Sequence, residues 1–177
     1  MAQTALVTGG AGFIGSHVVD RLVGDGFRVV VVDSLVTGRR EAVHGEADFR
    51  ELDVRSPRLA ELFKAERPDV VFHLAAAASV SGSVRNPAKD ARANVMGSIN
   101  VLEAARRVGI ERFVFSSTGG ALYGEPAYLP CDEAHPVRPL SPYGAAKNAV
   151  EGYVHAIAGL GGFGYTLLRY GNVYGPR

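Results

Sequence analysis

Cysteine is nearly absent from this sequence. Cys131 is the only one among 177 residues, which excludes an intrachain disulfide and a cysteine-rich zinc site and fits a reducing cytoplasm. A surplus of charge is missing too: 19 Lys and Arg stand against 18 Asp and Glu, a net of +1. That balance gives no broad attraction to nucleic acid or to an anionic membrane. The basic pairs Arg39–Arg40 and Arg106–Arg107 lack the interleaved aromatic residues that stack bases. The longest run of branched aliphatic residues, Val29–Val32, is far too short to span a bilayer. The first residues lead at once into a strand-like segment, without a charged leader and cleavage site. The expectation is a cytoplasmic protein without a metal, a nucleic-acid partner or a membrane. An apolar fraction of 47% and a charged fraction of 21% suit a globular chain with one sizeable core.

What is present is a strict alternation. Short apolar runs at Ala5–Thr8, Arg28–Asp33, Asp48–Leu52, Val70–Leu74, Arg112–Ser117 and Tyr165–Arg169 predict strands covered on both faces. Between them, Phe13–Gly24, Pro57–Ala65, Pro87–Val108 and Pro142–Leu160 read as helices. Three of these open with a capping side chain and a proline: Ser56-Pro57, Asn86-Pro87 and Ser141-Pro142. Gly109 and the Gly159–Gly162 stretch mark exits. The pattern predicts an α/β fold, a doubly wound parallel sheet with helices on both faces. Gly119–Leu140, rich in proline and glycine, reads as one long loop.

The first strand runs into Gly9, Gly12, Phe13, Ile14 and Gly15, with glycines every third position. Such a turn lets the backbone approach a pyrophosphate while the following helix presents free N–H groups. A tight strand-to-helix turn also needs glycine, so the spacing alone decides little. Asp33, eighteen residues after Gly15 at the end of the second strand, adds weight. A carboxylate there accepts hydrogen bonds from ribose hydroxyls and repels a 2′-phosphate, which favours NAD over NADP. Arg39 and Arg40 are the opposing signal, and a turn-capping role for Asp33 is the plainer alternative.

Tyr143 and Lys147 share one face at the start of a helix, behind a strand ending in Ser116-Ser117-Thr118. In a sheet of this kind ligands bind outside the C-terminal strand ends, where the side chains of Tyr143, Lys147 and Thr118 are expected to meet. A tyrosine acting as a base near neutrality needs its pKa lowered by about 3 units, roughly 4 kcal/mol. An ammonium about 6 Å away supplies about 3 kcal/mol at an effective dielectric of about 20. The lysine is therefore expected to be nearly sufficient, with the positive nicotinamide of NAD supplying the remainder and Thr118 aligning the reacting alcohol.

These segments, with Asp53-Val54, His73-Leu-Ala-Ala76, Asn94-Val-Met-Gly97 and Arg169-Tyr-Gly-Asn-Val-Tyr-Gly-Pro-Arg177, resemble the extended short-chain dehydrogenase/reductase family along the whole chain. Within it the nucleotide-sugar 4-epimerases are most similar. The resemblance implies a Rossmann-type NAD-binding domain over 1–177 and a substrate lobe beyond it. It also implies C4 oxidation and re-reduction of a UDP-hexose, interconverting the glucose and galactose forms. Asp53 and Val54 would then meet the adenine. Leu74, Ala75 and Ala76 would line the cofactor channel, with Ser116 at its wall, and Asn94 would steady the core beside it. Tyr170 would touch the nicotinamide region, and Asn172 the sugar nucleotide. The helices at 87–108 and 142–160 would form a homodimer. Related dehydratases place an acid–base pair after the threonine, where this chain has Gly119-Gly120, and Ala77 and Ala78 replace polar residues of many relatives. An epimerase of another nucleotide sugar or uronic acid and a non-catalytic NAD-binding module remain as alternatives. Without the further lobe, residues 1–177 are expected to hold cofactor but to turn over UDP-hexose poorly.

Overall fold

The computed structural model describes residues 2–177. Six parallel strands form one sheet in the order β3-β2-β1-β4-β5-β6: β1 Thr4–Thr8, β2 Arg28–Asp33, β3 Asp48–Glu51, β4 Val70–His73, β5 Arg112–Thr118 and β6 Gly164–Tyr170. Successive side chains of a strand point to opposite faces, and β1 shows what this does. Leu6 enters a core with Phe63 of helix α2 (Leu59–Glu66), Leu102 of α5 (Gly97–Val108) and Val154 of α7 (Pro142–Gly161). Ala5 and Val7 face the other way, onto Val19 and Leu22 of α1 (Phe13–Gly24). Burial on both faces is why β1 and β2 read as unbroken apolar runs. The expectation fails at β3, whose Asp48, Arg50 and Glu51 are partly or fully exposed, because β3 is an edge strand.

Cap chemistry sets the helix starts. The Ser141 hydroxyl accepts from the Gly144 N–H at 3.1 Å ahead of Pro142, and the Asn86 side chain accepts from the Lys89 N–H at 3.0 Å ahead of Pro87. The third expected start is displaced: Ser56 and Pro57 form a turn, and α2 begins at Leu59. The single helix expected over 87–108 is three pieces on a continuous helical backbone. These are α4 (Pro87–Ala91), a π-helical turn at Arg92–Met96, and α5. Helix α3 (Val80–Arg85), capped by Ser79, was not anticipated, and the expected loop 119–140 opens with one turn of helix, α6 (Gly119–Leu122). The two helices expected to form a homodimer turn part of their apolar surface into the core: Leu102 and Ile157 are buried, whereas Met96 and Tyr153 are exposed.

The open end of the sheet is braced by charge. Glu151 of α7 is buried, and its carboxylate takes the Ser117 hydroxyl at 2.5 Å and the Arg169 guanidinium of β6 at 2.7 Å. Arg169 also reaches the Tyr123 hydroxyl and the Glu133 carbonyl, both at 3.2 Å, tying the 123–140 segment to the sheet. Breaking one side of a buried pair leaves the other charge uncompensated, at a cost of about 3–5 kcal/mol. Arg169→Met is expected to lower thermal stability by about 6–15 °C for a chain of this size. Calorimetric unfolding checks this, and a shift below about 2 °C would show that the pair braces nothing.

Candidate active site

Strand order reverses between β1 and β4, so their C-terminal ends diverge and leave a crevice. Thr8, Asp33, His73 and Thr118 all stand at strand ends on that side. The glycine loop closes one wall. Gly9 takes a left-handed backbone at φ +72°, and a Cβ there would lie 2.6 Å from the Ala75 amide nitrogen. At Gly15 a Cβ would lie 2.1 Å from the Gly9 carbonyl oxygen. No side chain fits at either position, so the loop lies directly against Leu74 and Ala75.

The loop fits an anion. Helix α1 has Gly12 as its N-cap, with no side-chain cap, and no acidic residue in its first turn. The amides around Phe13, Ile14 and Gly15 are thus at a helix N-terminus with its partial positive charge uncompensated, which suits a pyrophosphate. Asp33 braces the same loop, one carboxylate oxygen accepting from Ala11 N–H at 3.0 Å and the other from Leu35 N–H at 2.9 Å. Each oxygen retains acceptor capacity for ribose hydroxyls, so the turn-capping and ribose readings of Asp33 are compatible.

Arg39 lines a hollow with Gly12, Phe13, Ser16 and Thr37, while Arg40 stacks on the Phe49 ring at 4.6 Å. Asp53 is held in a two-pronged pair with Arg55, at 2.9 and 2.6 Å, which draws its carboxyl below the ordinary range. Val54 packs against Gly97 of α5.

A directed hydrogen-bond chain crosses beneath the crevice. The Ala75 N–H donates to the Thr8 hydroxyl at 3.3 Å, which lies 2.6 Å from Nδ1 of His73. On the other side Nε2 meets the Ser98 hydroxyl at 2.8 Å, and Ser98 donates to the Asn94 carbonyl at 2.6 Å. With Thr8 and Ser98 so engaged, His73 is neutral and carries its proton on Nε2. Burial, reinforced by the positive Lys147, pushes His73 down to about 3. Asn94 lies in the π turn, where such turns often mark functional sites. Its amide brackets the Ala77 peptide, accepting from N–H at 2.8 Å and donating to C=O at 3.1 Å.

Tyr143 and Lys147 stand on the first turns of α7, as their spacing predicts. Lys147 is buried and donates to the Ser116 carbonyl at 2.7 Å, with its nitrogen 4.7 Å from the Phe115 ring centroid and 5.9 Å from that of Tyr143. Burial lowers Lys147 to about 8, partly offset by Asp90. Tyr143 departs from expectation. Burial and then the Asp90 carboxylate push its phenol above the ordinary 10.0, so the lysine does not make it a base in this state. Thr118 caps α6, its hydroxyl oxygen accepting from Ala121 N–H at 3.2 Å and keeping its own proton to donate. Tyr170 pairs with Thr118 across β5 and β6, its phenol raised by burial, and Asn172 lies exposed just beyond. Missed in the sequence were Asp90 and Ser83, whose hydroxyl accepts from the Tyr143 N–H at 3.1 Å and steadies α7. Asp90 carries no motif signal, and Ser83 lies on an unanticipated helix.

A nucleotide site at the sheet's switch point, beside a Tyr–Lys pair, defines a dinucleotide-dependent enzyme class, and comparison makes it specific. Residues 5–177 match the NAD dependent epimerase/dehydratase family, and the chain belongs to that family. It is 48% identical over 172 residues to a putative UDP-glucose 4-epimerase of Methanocaldococcus jannaschii, covering 97% of this chain and 56% of the relative. UDP-glucose 4-epimerase of Thermotoga maritima with UDP-glucose superposes with a TM-score of 0.96 at 49% identity, over 99% of this chain and 57% of that one. The Thermus thermophilus UDP-glucose 4-epimerase complex with NAD gives 0.95 at 47% identity, over 99% and 57%. The chain thus spans little more than half the length of these relatives. Its fold is theirs, and NAD is the family's cofactor.

Gly15→Ala is expected to strain the loop by about 1–3 kcal/mol and to weaken NAD binding roughly tenfold or more. Gly24→Ala, with open space around its Cβ, is the control that should bind normally. Calorimetric titration of both variants checks this; equal affinities would mean that the loop does not hold the cofactor.

His73 generates an acid prediction. Its folded value of about 3 lies below the ordinary 6.5, so between these pH values the unfolded chain binds more protons. Stability should therefore fall as pH drops through that window, with a slope of up to about 1.4 kcal/mol per unit from this group. His73→Gln should be less stable at neutral pH yet show a shallower acid slope. Urea unfolding across the window, with identical slopes for the two proteins, would reject it.

Proposed function

We propose that this chain carries the cofactor-binding and proton-transfer machinery of a nucleotide-sugar 4-epimerase that interconverts UDP-glucose and UDP-galactose. The observation that carries this reading is the Tyr143–Lys147 pair beside Thr118, followed by Gly119 and Gly120 instead of an acid–base pair. Loss of water from the sugar needs a further acid and base, and reversible oxidation at C4 does not. The fold, and relatives named UDP-glucose 4-epimerase, support it.

In this reading the Gly9–Gly15 loop would hold the pyrophosphate of NAD and Asp33 would meet its adenosine ribose. Asp53 and Val54 face the adenine, and Leu74, Ala75, Ala76, Asn94, Ser116 and Tyr170 border the rest. When bound, NAD supplies a reversible acceptor for the C4 hydride and a positive ring beside Tyr143. Tyr143 takes the proton of the 4-hydroxyl and returns it. Lys147 holds the ribose and favours the phenolate, Thr118 orients the reacting oxygen, and Asn172 meets the sugar-nucleotide phosphate. The raised phenol suits this order: a positive ring beside the Lys147 ammonium would favour the phenolate.

A second copy of the chain is proposed as partner of the faces that leave Met96 and Tyr153 exposed. No helix among the described residues is long and apolar enough to cross a membrane, and a cytoplasmic location fits the single, exposed Cys131.

With protein expressed from its complete reading frame, Tyr143→Phe should lower turnover of UDP-galactose by roughly 100- to 10,000-fold. NAD affinity should change little. Lys147→Met should damage both turnover and NAD affinity. Near-normal turnover by Tyr143→Phe would show that another base exists. Turnover of UDP-N-acetylglucosamine in preference to UDP-galactose would reassign the sugar.

A further inference from the structure

Asp90 is only 5% exposed, yet it is a carboxylate on a five-residue helix. Its Oδ1 accepts from Asn94 Nδ2 at 2.9 Å. Its Oδ2 is buried and, among the described residues, has no hydrogen-bond partner. Helix α4 packs on α7, the helix that carries Tyr143 and Lys147. Burial raises the Asp90 carboxyl above its ordinary range, opposed by the Asn94 hydrogen bond and the positive Lys147, and the ionised Asp90 in turn raises the Tyr143 phenol and the Lys147 ammonium.

The other groups around Lys147 cannot replace it. On α7, Glu151 is committed to Arg169, and Tyr143 is a phenol. From β4 comes His73, which is neutral; β5 offers the Ser116 carbonyl and the Phe115 ring; β6 offers the Tyr170 phenol. The π turn and α5 contribute Asn94 and Ser98, and α3 contributes Ser83, all uncharged. Lys89 and Arg92, flanking Asp90 in sequence, are exposed. A buried ammonium and a buried carboxylate with no other counter-charge are left to compensate each other.

We propose that Asp90 is a positioning residue for the Tyr143–Lys147 pair, a buried counter-charge that keeps the Lys147 ammonium protonated and locks Asn94 in one amide orientation. The second role follows from the geometry. Turning the Asn94 amide over would set its carbonyl oxygen against the carboxylate and break both bonds to Ala77. The first role raises the Lys147 midpoint against the effect of burial, and the same charge favours the protonated phenol of Tyr143. Only the phenol half rests on the reading of Tyr143 as proton acceptor.

The test uses protein from the complete reading frame and Asp90→Asn, which keeps the shape and an acceptor for Asn94. The primary measurement needs neither cofactor nor substrate: titration of the Lys147 Cε chemical shift against pH by heteronuclear NMR, the signal assigned by its absence in Lys147→Met. A negative charge raises the pKa of every neighbour, so removing it should move the Lys147 midpoint down from about 8, by about one unit. Asp90→Glu should restore most of the shift. In the second measurement both limbs of the pH–rate profile should move to lower pH together, because the phenol and the ammonium lose the same charge. A purely structural role would lower the rate and leave the limbs in place. An unmoved Lys147 midpoint in Asp90→Asn overturns the proposal, whatever the reaction. A shifted midpoint in a protein inactive on UDP-hexoses overturns the reaction and leaves the role of Asp90 standing. If Asp90→Asn does not fold, Asp90→Asn/Lys147→Met decides. Recovery of folding in the double variant supports the charge pair, and failure to recover contradicts it.

Discussion

The C-terminal edge of this sheet is built around one buried positive charge. Lys147 is taken out of water into a space floored by the Phe115 ring, and the chain answers with a carbonyl, a ring face and a carboxylate. Much of the local architecture follows from that requirement. The Ser141–Pro142 cap starts α7 where its second turn overlies β5, so the ammonium reaches the Ser116 carbonyl. Helix α4 brings Asp90 close, and the π turn sets Asn94 between Asp90 and Ala77. The same charge helps to keep His73 neutral, which fixes one tautomer and one direction for the hydrogen-bond chain from Ala75 to Asn94. The Ala75 amide at the end of β4 and the Asp90 carboxylate on α4 are thus two ends of one hydrogen-bonded network.

The nucleotide side obeys a steric constraint instead. Gly9 and Gly15 let β1, α1 and β4 approach so closely that a single Cβ would strike backbone. The outcome is a helix N-terminus without a cap, flanked by a carboxylate that braces the loop from the far side. Positive potential is therefore concentrated where a pyrophosphate would lie and opposed where a ribose would lie. A 2′-phosphate meets Asp33 there, although Arg39 lies within the same region.

Much of this was legible in the sequence because it is local. Glycine spacing, a carboxylate at a strand end and a Tyr–Lys pair one helical turn apart are read from neighbours along the chain, and the strand–helix alternation carries the layer order. What escaped was set by tertiary contact. Asp90 sits in a stretch with three charged residues within four positions, Lys89, Asp90 and Arg92, and only the packing of α4 on α7 buries the middle one. The Glu151–Arg169 pair joins residues 18 apart and leaves no periodic trace. Helix α3 lies in a run of small residues whose apolar pattern is too short to betray it. The acidity of Tyr143 depends on the assembled fold in the same way. The attraction of the lysine could be estimated from spacing, whereas the larger opposing effect, burial, depends on the assembled fold.

The proposed role of Tyr143 as proton acceptor implies that it rests as a phenol and would become a base once NAD joins Lys147. Ultraviolet titration of the phenolate tests it directly, taken as the difference between the protein and its Tyr143→Phe variant, with and without NAD. Without NAD the residue should titrate above the ordinary tyrosine value of about 10. With NAD bound the midpoint should fall by about 1–3 units. A midpoint already depressed in the ligand-free protein, or one that NAD leaves unmoved, would contradict the account.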